Sequence, residues 1–144
     1  MNTKYIATLA AMLAVPALVV SCNGQNYSTP DGVVQGEIQV LKDFAAAADA
    51  CNKDDTTAFE TAVKAVTELQ KRINQGLEAM TPEQKAEIKK LIEEKYAKEI
   101  EEASGAMETA MGKLAETLGV GGIEKVQPVL DEFENALAPV FAME

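Results

Sequence analysis

Residues 59–80 read FETAVKAVTELQKRINQGLEAM, and their apolar residues recur at alternating intervals of three and four. This spacing places them along one side of an α-helix, as in the packing seam of a heptad repeat. The members of the stripe are Phe59, Ala62, Val66, Leu69, Ile73, Gly76 and Met80. From residue 30 onward no segment shows the alternation of period two that a strand requires. The domain is therefore predicted to be all-α.

Capping signals place the starts of the other helices. Thr29 is a predicted N-cap because Pro30 follows it at the first helical position. Thr81 is a second N-cap, with Gln84 three residues later to complete a capping box, and Thr57 with Glu60 has the same spacing. The predicted helices span about residues 30–52, 57–80, 82–118 and 123–141.

Glycine and proline mark the expected interruptions. A helix unbroken over 82–118 would exceed its neighbours in length, and Ser104-Gly105 is the predicted place for a kink or break. The run 119–122, Gly-Val-Gly-Gly, is predicted to end that helix, and Pro139 to end or bend the last one. Amphipathic helices with short links pack most simply as a small antiparallel bundle of about four helices over residues 31–144. An elongated three-helix arrangement is the alternative if the third helix stays straight.

The composition of the chain limits the classes of function that it can have. All 23 acidic residues follow Cys22 and one of the 13 basic residues, Lys4, precedes it, so the chain from Cys22 carries a net charge of −11. A strongly acidic chain lacks the lysines and arginines that phosphate contacts require, which argues against nucleic acid and against a basic face for anionic lipid.

The common catalytic arrangements are missing from the sequence. The chain has no histidine, which excludes Ser-His-Asp and Cys-His sets and histidine-ligated metal sites. The serines after Cys22 are Ser28 and Ser104, and the glycines at 119–122 lack the lysine of a phosphate loop. We therefore expect that the protein is not an enzyme and that it binds no cofactor, no metal ion and no small-molecule substrate.

Two further groups have alternative readings. Cys51 is either a reactive thiol or a small core residue, and we favour the core because a helix C-terminus raises a thiol pKa. Adjacent carboxylates could serve acid–base chemistry or bind a hard cation. A solvated surface is favoured for them, since neighbouring positions on a helix point about 100° apart. The pairs are Asp54-Asp55, Glu93-Glu94 and Glu101-Glu102.

The first 22 residues, MNTKYIATLAAMLAVPALVVSC, have the form of a secretory signal. Lys4 precedes an apolar run over residues 5–20, which is interrupted by Pro16 and followed by small residues. The run is short for a membrane span of about 20 residues, so an uncleaved anchor helix is the less favoured reading.

The residues that close the signal, Val19-Val20-Ser21-Cys22, resemble the lipobox of bacterial lipoproteins, although that pattern usually begins with Leu. The resemblance implies that the Cys22 thiol receives a diacylglyceryl group and that cleavage falls between Ser21 and Cys22. Residues 1–21 would then be the signal peptide, and residues 22–30 the lipidated cysteine and a flexible tether. The alternative is that Cys22 is an ordinary residue after an ordinary signal.

Asn23 indicates to which membrane the protein would be attached. In enterobacterial lipoproteins an Asp after the lipidated cysteine favours the inner membrane, and this chain has Asn23 there. The resemblance thus implies an outer-membrane lipoprotein facing the periplasm. We expect a non-enzymatic binding or structural module whose partners are the membrane and an envelope protein.

A second resemblance supports an alternative function. Residues 80–84, Met-Thr-Pro-Glu-Gln, are similar to the LTxxQ motif of small helical periplasmic stress chaperones, with Met in place of Leu. This similarity implies a carrier or chaperone for hydrophobic ligands or unfolded chains. Methionines could line its groove, or they could simply fill an alanine-rich core. They are Met80, Met107, Met111 and Met143.

Overall fold

The structure, a computed structural model, describes the backbone of residues 26–141 and the side chains of residues 26–139. This part of the chain is helical, with no strand and one isolated β-bridge between Asn52 and Asp55. Its helices are α1 (Pro30–Asp49), α2 (Thr57–Glu78), α3 (Pro82–Glu94) and α4 (Ala97–Phe141). The predicted all-α bundle is confirmed.

Helix α4 is broken by one glycine. Gly119 has φ +62° and ψ −177°, a combination essentially restricted to glycine because it has no Cβ. The break divides α4 into a first arm, residues 97–118, and a second arm, residues 120–141. The elongated arrangement is therefore not adopted, since the second arm folds back onto the other helices.

Side-chain contacts fix the direction of each helix. The first arm runs parallel to α1, because Tyr96 Oη lies 2.8 Å from Asp31 at one end and Lys113 Nζ lies 3.5 Å from Asp49 at the other. Helix α2 runs antiparallel to α1, with both Phe59 near Phe44 and Gly76 near Tyr27.

The second arm runs parallel to α2. Glu132 lies 3.0 Å from Lys71, and the carbonyl of Ala136 lies 2.7 Å from the Asn74 amide. Helices α1, α2 and the two arms thus form an up-down-up-down bundle. Helix α3 follows the end of α2, and its junction with α4 contacts Asp31 at the start of α1. We call this end of the bundle the Asp31 end.

Aromatic packing joins three of these elements. The Phe44 and Phe133 rings are stacked, with centroids 4.5 Å apart and planes 8° apart, and Phe59 meets Phe44 edge-on at 6.4 Å. Burial of such rings is a main source of folding free energy in an otherwise small-residue core. Helix α1 is central and contacts all of the other helices.

The predicted break at Ser104-Gly105 is wrong. Both residues are helical, and the interruption falls at Lys95 and Tyr96, between α3 and α4. The N–H groups of Lys95 and Tyr96 both donate to the Leu91 carbonyl, at 3.0 and 2.9 Å, which closes α3. Gly105 is exposed with open space around it, so nothing there forces the helix to end.

Other predicted boundaries shift by a few residues. Helix α1 ends at Asp49 rather than 52, α2 ends at Glu78 rather than 80, and α4 continues through Pro139 to Phe141. In the glycine run only Gly119 leaves helical geometry.

The expected capping box at Thr57 does not form. Thr57 is the first helical residue, and its N–H is accepted by the Asp55 carboxylate at 3.0 Å. The N-cap residue is Thr56, whose side chain makes no cap hydrogen bond.

Candidate functional site

The predicted lipid-attachment residue, Cys22, lies outside the described residues, as do the rest of the lipobox and the signal segment. The described chain begins at Asn26, whose side-chain oxygen accepts from the Ser28 N–H at 3.0 Å and whose carbonyl accepts from the Thr29 N–H at 3.2 Å. Thr29 then caps α1 by accepting from the Gly32 N–H at 3.1 Å, as predicted.

Tyr27 lies across α1 and α2 at positions where both helices carry glycine. A Cβ on Gly36 would come within 2.8 Å of Tyr27 Cε1, and a Cβ on Gly76 would overlap the Tyr27 carbonyl oxygen. Burial raises the pKa of Tyr27, the Arg72 charge opposes this and Asp43 adds to it. The described part of the expected tether therefore contacts the bundle.

A chain of polar side chains crosses the core. Gln70 Nε2 donates to Glu37 Oε1 at 2.6 Å and to Asn74 Oδ1 at 3.0 Å, and Asn74 Nδ2 donates to the Ala136 carbonyl at 2.7 Å. We call Glu37, Gln70 and Asn74 the polar chain. A backbone carbonyl only accepts, so Ala136 fixes the orientation of the Asn74 amide, and Asn74 in turn fixes that of Gln70.

Glu37 is the titratable residue of the polar chain. Burial raises the pKa of Glu37 to about 7, against the opposing effect of the Gln70 hydrogen bond. Gln70 is fully buried, and its Oε1 has no hydrogen-bond partner among the residues that the structure describes. The arrangement can hold or release a proton near neutral pH. Gln70 and Asn74 are buried, whereas Glu37 is partly exposed.

A second polar cluster fastens the α3–α4 junction to the start of α1. The Asp31 carboxylate accepts from Lys95 Nζ and Tyr96 Oη, each at 2.8 Å, and from Gln35 Nε2 at 2.6 Å. The hydrogen bonds from Lys95 and Tyr96 lower the pKa of Asp31. The bond to Asp31 likewise holds the pKa of Lys95 above its usual range. Three hydrogen bonds on one carboxylate fasten this junction firmly to the start of α1.

Cys51 is half-buried and packs against the core. Burial raises the pKa of the Cys51 thiol to about 11, so the nucleophilic thiolate is scarce at neutral pH. This placement supports the interpretation of Cys51 as a small core residue rather than a reactive one.

The paired carboxylates lie on the surface. All six are exposed, and two of them form ion pairs along their own helices, Lys90–Glu94 at 4.0 Å and Lys98–Glu102 at 3.8 Å. Within the described residues no group of three or more His, Cys, Asp or Glu could hold a metal ion. The pairs thus match the reading of a solvated surface.

The methionines fill the core rather than lining an opening. Met80 is buried, and Met107 and Met111 are partly buried and pack against the core, while Met143 lies outside the described residues. In the part of the chain that the structure covers, the large apolar residues counted as exposed are Ile92 at 37% and Val120 at 82%.

The residues of the motif at 80–84 cap the start of α3. The Thr81 hydroxyl accepts from the Gln84 N–H at 3.2 Å, and the Gln84 side chain accepts from the Thr81 N–H at 3.0 Å. The predicted capping box at the start of α3 is confirmed.

A scan against protein-family models, a search of curated proteins and a search of solved structures each gave no match to this chain. Between residues 26 and 141, no helix has both the length and the apolar content needed to cross a membrane.

Sequence reasoning missed the polar chain. Gln70 and Asn74 stand four apart and follow directly after the stripe residues Leu69 and Ile73. That spacing was the available signal, because two amides at this interval share a face next to the core. Their burial follows from the second arm, which covers that flank of α2.

Proposed function

We propose that the chain is a lipid-anchored module of the bacterial cell envelope that acts by binding or by a structural role, without catalysis. The observation that carries the proposal is the lipobox-like Val19-Val20-Ser21-Cys22 at the end of a signal-like segment. A diacylglyceryl group on Cys22 would hold the helical body at a membrane, since two acyl chains give stable attachment where one gives marginal binding. Asn23 favours the periplasmic face of the outer membrane.

The packing of the body supports a binding or structural role. Its core is filled by side chains from every helix, including Ile73, Leu114 and Val126, each of which is fully buried. A carrier of hydrophobic ligands needs a cavity or groove lined by apolar side chains. The methionines that would have lined such a groove pack against this core instead.

The alternative, a carrier or chaperone, depended on the motif at Thr81. Thr81 and Gln84 satisfy each other's backbone N–H groups at the start of α3. A well-formed helix start accounts for these residues without a bound client. The structure therefore favours the first function over the alternative.

The anchor is tested with the two cysteines of the chain. Cys22→Ala removes the acceptor thiol, and Cys51→Ala is the matched control because it removes the other thiol and leaves the lipobox intact. We expect the wild type and Cys51→Ala to yield an acylated N-terminal peptide beginning at residue 22 by mass spectrometry and to fractionate with outer membranes. Cys22→Ala should lose both properties. Unchanged processing and fractionation of Cys22→Ala would refute the proposal.

The role at the membrane is tested separately. The protein purified from detergent-solubilised membranes should retain a defined partner after chemical cross-linking. The same preparation should fail to slow aggregation of an unfolded test protein. Suppression of aggregation, together with no cross-linked partner, would replace this function with the chaperone alternative.

A further inference from the structure

The net charge of the whole chain argues against a basic face for anionic lipid, but this charge is distributed unevenly along the chain. Residues 81–100 contain five lysines and five glutamates, so their net charge is zero. The other residues from Cys22 onward contain 7 basic and 18 acidic residues, which gives −11. A membrane with anionic lipids would therefore repel most of the protein. The repulsion is weakest at α3 and its junction with α4, so this part can come nearest to the membrane.

Helix α3 also separates its charges into two sides. Lys85, Lys89 and Ile92 are spaced by four and three and form one side, which we call the lysine stripe. Glutamates at positions 83, 87 and 94 occupy the other side together with Lys90, which pairs with Glu94 at 4.0 Å, and Glu93 lies between the two sides. Lys89 is exposed and Ile92 is 37% exposed, and within the described residues neither Lys85 nor Lys89 forms an ion pair. The stripe thus combines unpaired ammonium groups with one accessible aliphatic side chain.

The first described residues of the chain lie at the same end of the bundle. Tyr27 is packed over Gly36 and Gly76 near the Asp31 end, where Lys95 of the α3–α4 junction also contacts Asp31. Cys22 precedes Asn26 by four residues. Four residues span at most about 14 Å when fully extended. A lipid on Cys22 would hold the Asp31 end close to the bilayer, within a few times the Debye length of about 8 Å.

We propose that the lysine stripe of α3 rests on the phosphate headgroups of the membrane that holds the Cys22 lipid. This inference rests on the proposed function. Lys85 and Lys89 supply ammonium donors to headgroup phosphates, and Ile92 enters the interface beside them. The first arm, residues 97–118, is about 33 Å long at 1.5 Å per residue. The bundle would then stand on its Asp31 end and present Gly119 and the exposed Val120 away from the membrane.

The test uses the native lipoprotein with a single reporter cysteine. In a Cys51→Ala background, Ile92→Cys and Val120→Cys each place a fluorescent label at an exposed aliphatic position. Each protein is reconstituted in phosphatidylcholine vesicles with or without phosphatidylglycerol and with a nitroxide quencher on the lipid headgroup. We expect strong quenching at residue 92 in anionic vesicles, weak quenching at residue 120, and loss of the difference at high salt.

Neutralising the stripe supplies the decisive comparison. Each lysine near an anionic surface contributes on the order of 1 kcal/mol, so Lys85→Gln with Lys89→Gln should lower the ratio of docked to undocked protein by roughly 30-fold. The matched control is Lys64→Gln with Lys125→Gln, which has the same charge change and leaves the Asp31 end intact. Helicity measured by circular dichroism confirms that each variant is folded. Equal quenching at residues 92 and 120, or no difference between the two lysine pairs, would overturn the inference.

The labelling step separates this inference from the proposed function. An acylated Cys22 has no free thiol, so each protein takes up one label. A second label on residue 22 would show that the anchor is absent, which removes the proposed function and the docked orientation together. One label without selective quenching removes the docked orientation alone.

Discussion

The Asn74 side-chain amide donates to the Ala136 carbonyl at 2.7 Å, three residues before a proline that interrupts the hydrogen bonds of the same helix. Pro139 has no N–H, so the Asn135 carbonyl loses its donor within the helix. The last described turn of the second arm therefore lacks one internal hydrogen bond, and Asn74 ties this part of the arm to α2.

Asn74→Asp should destabilise the fold strongly. A carboxylate cannot donate to Ala136 and would place a buried charge beside an acceptor, so we expect a loss of about 3 kcal/mol in the free energy of unfolding. Gln75→Glu makes the corresponding change at an exposed position of α2 and should alter stability by less than about 0.5 kcal/mol. Urea denaturation measures both. Equal effects would mean that the Asn74–Ala136 bond does not contribute.

Glu37 should make stability depend on pH. Its pKa is about 7 in the folded protein against an ordinary 4.5, so between these values the folded state keeps a proton that the unfolded chain has released. Stability should therefore fall as pH rises through this range, by on the order of 3 kcal/mol.

Glu37→Gln should remove most of this slope and be more stable than the wild type above about pH 7. An amide at residue 37 can still accept from Gln70 Nε2, so the polar chain is preserved. Urea denaturation at several pH values gives the slope, and Glu93→Gln, at an exposed position, is the control. A wild-type stability that rises over this pH range would contradict the prediction.

Gly76→Ala should loosen the segment that carries Tyr27. The added Cβ would overlap the Tyr27 carbonyl, and overpacking of this kind costs about 1–3 kcal/mol. Gly112→Ala is the matched control, because Gly112 is helical and has open space around it, and it should stabilise by about 1 kcal/mol. Thermal unfolding shows whether each substitution raises or lowers the melting temperature. If both substitutions stabilise the protein, Tyr27 moves aside freely.

Gly119→Ala should strain the reversal between the two arms. Its φ of +62° with ψ of −177° is unfavourable for any residue with a Cβ, and we expect a loss of about 1–3 kcal/mol. Gly121→Ala, two residues later at a helical position with open space, should be stabilising. Thermal melts of the two variants make the comparison. If alanine is tolerated equally at both positions, the reversal does not depend on Gly119.

Tyr96→Phe should weaken the α3–α4 junction in a pH-dependent way. The variant loses the hydroxyl that donates to Asp31 at 2.8 Å, at a cost of about 1 kcal/mol near neutral pH. The Lys95 and Tyr96 bonds lower the pKa of Asp31, so their stabilisation is present while the carboxylate is ionised and is lost as pH falls through its lowered pKa. Denaturation at neutral and acidic pH should show the two proteins converging in acid. A difference that is constant with pH would assign the effect to packing or to the lost hydrogen bond from Gln35 Nε2 to Tyr96 Oη, at 2.9 Å, rather than to Asp31.

Local signals predicted much of the fold. Thr29 and Thr81 both cap helices as expected, because capping depends on residues within one turn of each other. Phe59 and Ile73 of the predicted stripe are also buried.

Features that depend on the assembled bundle escaped prediction. Val33 and Val34 are adjacent and point about 100° apart on α1, yet both are buried, because α1 is covered by all of the other helices. Glu37 resembles a surface carboxylate in the sequence and is drawn inward by Gln70 from a different helix. The break at Tyr96 has the same origin, since its hydroxyl partner Asp31 is 65 residues away.

The positions of the tyrosines determine which part of the protein is reported by its intrinsic fluorescence. The chain has no tryptophan, and the tyrosines of its described part, Tyr27 and Tyr96, both lie near the Asp31 end. Their emission therefore follows the environment of that end, whereas fraying of the arms around Gly119 leaves it unchanged. A fluorescence melt and a helicity melt of the same sample would separate if the two ends of the bundle open at different temperatures.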